Sequence, residues 1–165
     1  MSEKFKKLSI TSDFEVYDSE KDLSSEENAL LQKAKEALQN AYAPYSNFLV
    51  GAAVLLENGE ICIGNNQENA AYPSGLCAER VAIFHASAIH NSVAVKTIAI
   101  CCKSLNAVID GPVTPCGACR QVIAEYETKH SKPIRIIMQG EKGNVYAANG
   151  IESLLPLMFN SKYLK

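Results

Sequence analysis

Apolar residues recur along the chain with one of two periods, and the switches between those periods predict its elements. Leu30, Ala34, Leu38 and Ala41 fall on one helical stripe behind Ser24 and Glu27. That Ser-x-x-Glu pair is a capping box, so a helix opens at residue 24 and Pro44 closes it. Leu49–Glu57 and Glu60–Gly64 read as strands joined by Asn58-Gly59, a tight hairpin turn in which both positions need positive φ. Helices are predicted from Cys77 to about Ile89 and from Gly117 to about Thr128, with strands at Thr97–Cys102, Ile134–Gln139 and Val145–Ala148. Asn149 and Glu152 form a second capping box, opening a short final helix before Pro156 and Phe159.

This alternation implies an α/β sandwich of three layers, α/β/α, around a mixed five-stranded sheet. Only a few residues around Glu141-Lys142-Gly143-Asn144 separate the last two strands. A parallel crossover takes about a dozen or more, so that pair is expected to be antiparallel. Residues 1–23 are a polar leader in which Leu8, Ile10, Phe14 and Val16 keep an even spacing, which fits a short edge strand or a flexible arm. Residues 24–165 are expected to form one domain, in keeping with a chain of 165 residues.

Composition narrows the function classes. A net charge of −2 offers no cationic excess for a polynucleotide partner. No stretch approaches the roughly 20 apolar residues of a membrane helix. Lys4, Lys6 and Lys7 are not followed by an apolar run, so no secretory signal is expected, and Asp13, Glu15, Asp18, Glu20 and Asp22 are too acidic for a transit peptide. Six cysteines, two of them in a C-x-x-C, favour metal or redox chemistry over a disulfide framework in a cytoplasmic protein.

Two segments carry that chemistry, each at a predicted helix start: Cys77-Ala78-Glu79-Arg80 and Pro115-Cys116-Gly117-Ala118-Cys119-Arg120. Cys116 and Cys119, three apart, share a face of a first helical turn. Helix N-termini stabilise thiolates. A third thiolate from Cys77 would complete the three ligands of a catalytic zinc; a structural zinc takes four. Three thiolates leave such a site at −1, a charge that Arg80 and Arg120 could offset by hydrogen bonds to sulfur. Side chains at i and i+2 diverge on a helix, so Cys77 and Glu79 can serve one site only if Cys77 stands at the cap.

The pair C-A-E-R and P-C-G-A-C-R resembles the cytidine deaminase family, whose motif combines a Cys or His ligand, a P-C-x-x-C pair and a glutamate that is not a ligand. Ala41-Tyr42-Ala43-Pro44-Tyr45-Ser46-Asn47-Phe48 and Val50-Gly51-Ala52-Ala53 are similar to the family's entry segment. Asn66-Gln67-Glu68-Asn69-Ala70 is similar to its ribose loop, and Leu154-Leu155-Pro156 with Phe159 to its C-terminus. The resemblance implies one Zn²⁺ per chain on Cys77, Cys116 and Cys119, activating a water that attacks C4 of cytosine, with Glu79 carrying the protons. It implies that backbone groups near Ala78 and Thr114 hold the base edge, that Phe48 flanks base or sugar, and that Asn66 and Glu68 bind the ribose 3′-hydroxyl. It also implies a free nucleoside as substrate, no nucleic-acid or membrane partner, a role in pyrimidine salvage, and a homotetramer whose shared active sites take Phe159 from a neighbour.

Other readings share some of these features. A deaminase of tRNA or single-stranded nucleic acid usually has His where Cys77 stands, and parallel last strands. A deaminase of blasticidin-like antibiotics lacks the Asn-x-Glu-Asn loop. A zinc-stabilised binding module needs the cysteines but neither Glu79 nor Glu68, and an isolated C-x-x-C fits a structural or redox pair.

Overall fold

In chain order the strands are Glu15–Tyr17 (β1), Phe48–Leu56 (β2), Ile61–Asn65 (β3), Val95–Ser104 (β4), Arg135–Gln139 (β5) and Val145–Asn149 (β6). The helices are Ser25–Leu38 (α1), Ala78–Ile89 (α2) and Gly117–His130 (α3). These come from a computed structural model that describes residues 5–164. The strands form one sheet in the order β1-β6-β5-β4-β2-β3. β4 and β5 are parallel, linked across α3, and every other neighbouring pair is antiparallel, β5 and β6 included. The sheet has six strands, one more than expected, because Glu15–Tyr17 of the leader pairs with Val145–Ala147 of β6.

Strand periodicity sorts the core into two halves. Ala53, Leu55, Ala99, Cys101 and Ile137 point to one face, where they meet Leu30, Leu31, Ala34 and Leu38 of α1. Ala52, Val54, Ile98, Ile100 and Ile136 point to the other and pack with Ala82, Ile83, Ile123 and Ala124 of α2 and α3. The central strands β2 and β4 are covered on both sides, which accounts for their near-continuous apolar runs. Helices are drawn close by missing side chains. A Cβ on Gly51 would lie 2.0 Å from the Ala34 carbonyl oxygen of α1. One on Gly64 would lie 2.4 Å from the Ala82 nitrogen and 2.7 Å from the Ala78 oxygen, both backbone of α2.

Three local expectations are corrected. The β2–β3 loop is not a two-residue turn with two positive φ values; only Gly59 has one, at 87°. The Gly59 amide donates to the Leu56 carbonyl and the Leu56 amide to the Glu60 carbonyl, closing a three-residue loop. Helix α1 stops at Leu38, well before Pro44, because Tyr42 turns away to exchange backbone hydrogen bonds with Asn66 and Glu68. The helix expected after β6 is a single 3-10 turn, Ile151–Ser153, entered through Gly150 at φ 96° and without a side-chain cap from its own N-cap residue, and a second 3-10 turn, Ser161–Leu164, follows it. Glu127 of α3 takes the capping role, its carboxylate accepting from the Ile151 amide at 2.9 Å and the Ile134 amide at 2.8 Å. Asn149 is engaged instead with Glu15 and Arg135.

Arg135 fastens the leader. Its guanidinium donates to both Glu15 carboxylate oxygens at 2.8 and 2.7 Å, to Glu27 at 2.9 Å and to the Tyr17 hydroxyl at 3.0 Å. These bonds, those from Arg135 first, draw the Glu15 carboxyl from 4.5 down to about 2. A carboxyl lowered on folding stabilises the fold fully above its unfolded value, and that contribution fades as pH falls through the folded one. Thermal unfolding of the wild type and Glu15→Gln should therefore differ above about pH 5 and converge by about pH 2; a constant difference across this range would contradict the assignment. The contact at Gly64 makes a second expectation. Gly64→Ala should cost at least ~1–3 kcal/mol by overpacking, with reduced zinc retention as α2 shifts. Gly111→Ala, where an added Cβ meets nothing within 4 Å, should stay within about 0.5 kcal/mol. Denaturant midpoints and metal content read both.

Candidate active site

Cys77 is the N-cap of α2, with extended backbone (φ −73°, ψ 152°). Cys116 caps α3 in the same conformation (φ −66°, ψ 167°), and Cys119 follows in its first turn. Because neither cap residue is helical, Cys77 and Glu79 reach one site despite standing two apart. The Cys77 and Cys116 sulfurs are 3.7 Å apart and those of Cys116 and Cys119 3.5 Å, and all three lie within 4.8 Å of one another. Tetrahedral Zn–S bonds of about 2.3 Å place sulfurs about 3.8 Å apart, so the trio fits a zinc ion as it stands. Among the described residues it is the one His, Cys, Asp or Glu group spaced to hold a metal.

The site's charges are arranged to match. The Cys119 thiol, which hydrogen-bonds to Cys77, and then the Arg80 guanidinium hold the Cys77 thiol down to about 5. Arg80 Nη2 lies 3.7 Å from the Cys77 sulfur. Cys119 is pushed up by the same contact with Cys77 and by burial. Glu79 is only 4% exposed. Burial, with the negative charge at Cys77 pushing the same way, raises its carboxyl above the ordinary value.

Arg120 does not share the role of Arg80. Its guanidinium donates to the Pro115 carbonyl at 2.7 Å, the Leu154 carbonyl at 2.8 Å and the Thr114 hydroxyl at 2.8 Å, with no bond to sulfur. It joins the segment before α3 to the C-terminal segment, so the expected neutralisation of the thiolates falls to Arg80 alone and the two helix ends. The reason is local. Cys119 stands in the first turn of α3 and Cys116 at its cap, whereas the Arg120 side chain runs back along the turn toward Pro115.

A cavity of about 730 Å³ opens above the sulfurs, the size of a small-molecule site. Of the residues singled out from the sequence, Phe48, Asn66, Glu68, Glu79, Arg80 and Thr114 line it, with Cys77 and Cys116. Ala78 is fully buried in the first turn of α2. Phe159 is absent from the lining; it is 55% exposed and stacked on Tyr163, with its carbonyl held by Gln121 at 2.9 Å. Asn66 spends much of its amide on β2, accepting from the Val50 amide at 2.8 Å and donating to the Phe48 carbonyl at 2.9 Å. Glu68 accepts from the amides of Tyr45 and Ser46 and from the Ser46 hydroxyl.

Several lining residues are not singled out by the motif reading, among them Tyr45, Ser46, Tyr72, Leu76 and Cys102. Ser46 stands inside the entry segment between the larger Tyr45 and Phe48, both of which line the cavity beside it. Cys102 lines the cavity from β4, where its thiol is pushed up to about 11 by burial and stays neutral. Register pairs it with Val50 across β2. Only strand pairing reveals that position.

Comparison with known proteins agrees with this geometry. The family profile of the cytidine and deoxycytidylate deaminase zinc-binding region matches residues 24–132, a span that contains all three clustered cysteines and Glu79. The cytidine deaminase of Sporosarcina psychrophila is 43% identical over 137 residues, covering 82% of this chain and 92% of that one. That of Halalkalibacterium halodurans is 37% identical over 135 residues, covering 81% and 93%. A crystal structure of cytidine deaminase from Burkholderia pseudomallei superposes with a TM-score of 0.69 at 38% identity, over 79% of this chain and 97% of that one. With its zinc-spaced cysteine trio on the same fold, the chain belongs to the cytidine and deoxycytidylate deaminase family.

Proposed function

We propose that the protein catalyses the hydrolytic deamination of cytidine and 2′-deoxycytidine, giving uridine and 2′-deoxyuridine with release of ammonia, as a step of pyrimidine salvage. The observation that carries this reading is the buried Glu79 carboxyl beside three sulfurs at zinc spacing, all at the base of a nucleoside-sized cavity. Cys77, Cys116 and Cys119 would hold one zinc, which when bound would supply Lewis-acid activation of a water near neutral pH. Replacing the C4 amino group of cytosine by water's oxygen needs protons moved to ring N3 and to the leaving amine. In this reading Glu79 carries them, and a raised carboxyl pKa suits a residue that alternates between base and acid.

The remaining assignments follow the family pattern. Ala78 and Thr114 bind the base edge, Phe48 flanks base or sugar, and Asn66 and Glu68 take the ribose 3′-hydroxyl. A carboxylate at that hydroxyl attracts a nucleoside and repels a phosphate at the same point. The antiparallel β5–β6 pair supports the free-nucleoside branch over a polynucleotide deaminase. Residues 24–165 make up the catalytic domain in this reading, and 1–23 a leader. All six cysteines are free thiols, which suits a reducing cytoplasm.

The assembly in this reading is a homotetramer that shares active sites. An apolar C-terminal segment, with Leu157 83% and Phe159 55% exposed, is suited to cover a neighbour's cavity.

Glu79→Gln preserves size and removes the basic carboxylate. It should keep one zinc per chain while losing at least ~10²–10⁴-fold in turnover of cytidine, followed by ultraviolet absorbance. A near-normal rate would remove Glu79 from the chemistry. For the shared site, Glu79→Gln and Phe159→Ala are each expected to be inactive alone. Co-refolding them should restore activity, because some hybrid sites then carry neither lesion. If Phe159 served its own chain, every site would keep one lesion and mixing would restore nothing.

A further inference from the structure

We propose that Ser46 is the positioning residue for the sugar-binding carboxylate, its hydroxyl orienting Glu68 toward the ribose and tying that carboxylate to the backbone of Phe48. The proposal rests on the reading of Glu68 as the ribose carboxylate.

Glu68 lies in the segment after β3, and Ser46 in the turn before β2, 22 residues earlier in the chain. The Ser46 hydroxyl donates to Glu68 Oε1 at 2.5 Å. The Tyr45 amide donates to Oε2 at 2.9 Å and the Ser46 amide to the same oxygen at 3.3 Å. An ionised carboxylate has about four acceptor positions, so three are filled from one side and about one is left for a ligand. Both residues line the cavity, which is where that ligand would lie. The two amide bonds depend only on the backbone path, whose tight turn is secured by Asn47 at φ 56° and by the Asn47 amide bonding to the Ala43 carbonyl at 3.1 Å. The hydroxyl bond is the one a side chain supplies.

That hydroxyl also works in the other direction. Its oxygen accepts from the Phe48 amide at 3.0 Å. A single Ser46 oxygen thus stands between the carboxylate assigned to the sugar and the first residue of β2, whose ring lines the same cavity. Chains of this kind polarise one another, so the Phe48 amide strengthens the donation to Glu68. The Ser46 hydroxyl is the largest influence holding Glu68 below its ordinary pKa. The hydrogen bonds point the carboxylate before substrate arrives, which lowers the cost of ordering it on binding.

The test compares cytidine with 3′-deoxycytidine, which lacks the hydroxyl in question. The variants are Ser46→Ala, Ser46→Gly, Ser46→Thr and Glu68→Gln, each checked for one zinc per chain and an unchanged unfolding midpoint. Losing a hydrogen bond to a charged group should lower kcat/KM for cytidine about tenfold in Ser46→Ala and Ser46→Gly, mostly through KM. With 3′-deoxycytidine the same variants should match the wild type within about twofold, since the interaction they weaken is already missing. Ser46→Thr keeps a hydroxyl and should recover most of the loss on cytidine. Glu68→Gln separates the two ways of failing. If Glu68→Gln distinguishes the two nucleosides while Ser46→Ala and Ser46→Gly lose equally on both, the positioning role is overturned and the ribose reading stands. If Glu68→Gln also loses equally on both, the ribose reading fails and the proposal with it.

Discussion

The site depends on bringing two helix N-termini together at one end of the sheet, closely enough for three sulfurs to share a metal. The contact that allows this on one side is between α2 and β3, where Gly64 lets the backbone of Ala78 and Ala82 approach closer than any side chain permits. The alanines of α2 follow from the same constraint. Ala78, Ala82 and Ala86 are all buried, and a larger residue at any of them would lift the helix and carry Cys77 and Glu79 with it. α3 arrives through the parallel β4–β5 connection, which places its cap residue Cys116 3.7 Å from Cys77 across 39 residues of chain.

Closeness creates a charge problem that the surroundings resolve unevenly. Three thiolates around one divalent ion leave a net −1, and the positive ends of two helices meet it from below. Arg80, one residue after Glu79, reaches the Cys77 sulfur from α2 and reinforces this. The corresponding arginine after Cys119 is drawn into a different network, in which Arg120 links Thr114 and Pro115 to Leu154. The same helix start therefore anchors the metal and connects one cavity wall to the C-terminal segment. Glu79, in the first turn of α2, is buried, and that burial raises its carboxyl pKa.

The cavity rim is built from turns held by side-chain hydrogen bonds. Asn66 completes the backbone bonding of β2 at Phe48 and Val50, in the manner of a neighbouring strand. Ser46 and Glu68 link the turn before β2 to the segment after β3. Far from the cavity, the ion pairs of Arg135 add the leader to the opposite end of the sheet, covering the β6 edge that would otherwise present unpaired backbone.

Much of this was determined by sequence alone, because its causes are local. The helix at Ser24 follows from a capping box within four residues, the strands from short apolar runs bounded by turn residues, and the antiparallel β5–β6 pair from a connection too short to cross over. Cys77 as a cap residue follows from the divergence of i and i+2 side chains, and the cysteine trio from donor chemistry and spacing. What tertiary structure decided lies where two distant segments compete for one group. Glu127 supplanted Asn149 as the cap of the turn after β6 because it reaches the Ile151 amide from another helix. Arg120 turned from sulfur to three oxygens of the segments around it, and the leader became a strand because Arg135 and β6 were there to receive it. Ser46 and Cys102 entered the cavity through hydrogen bonding and strand register with residues 22 and 52 positions away. Local propensity cannot encode such choices, since each is settled by which acceptor or edge the folded chain brings within about 3 Å.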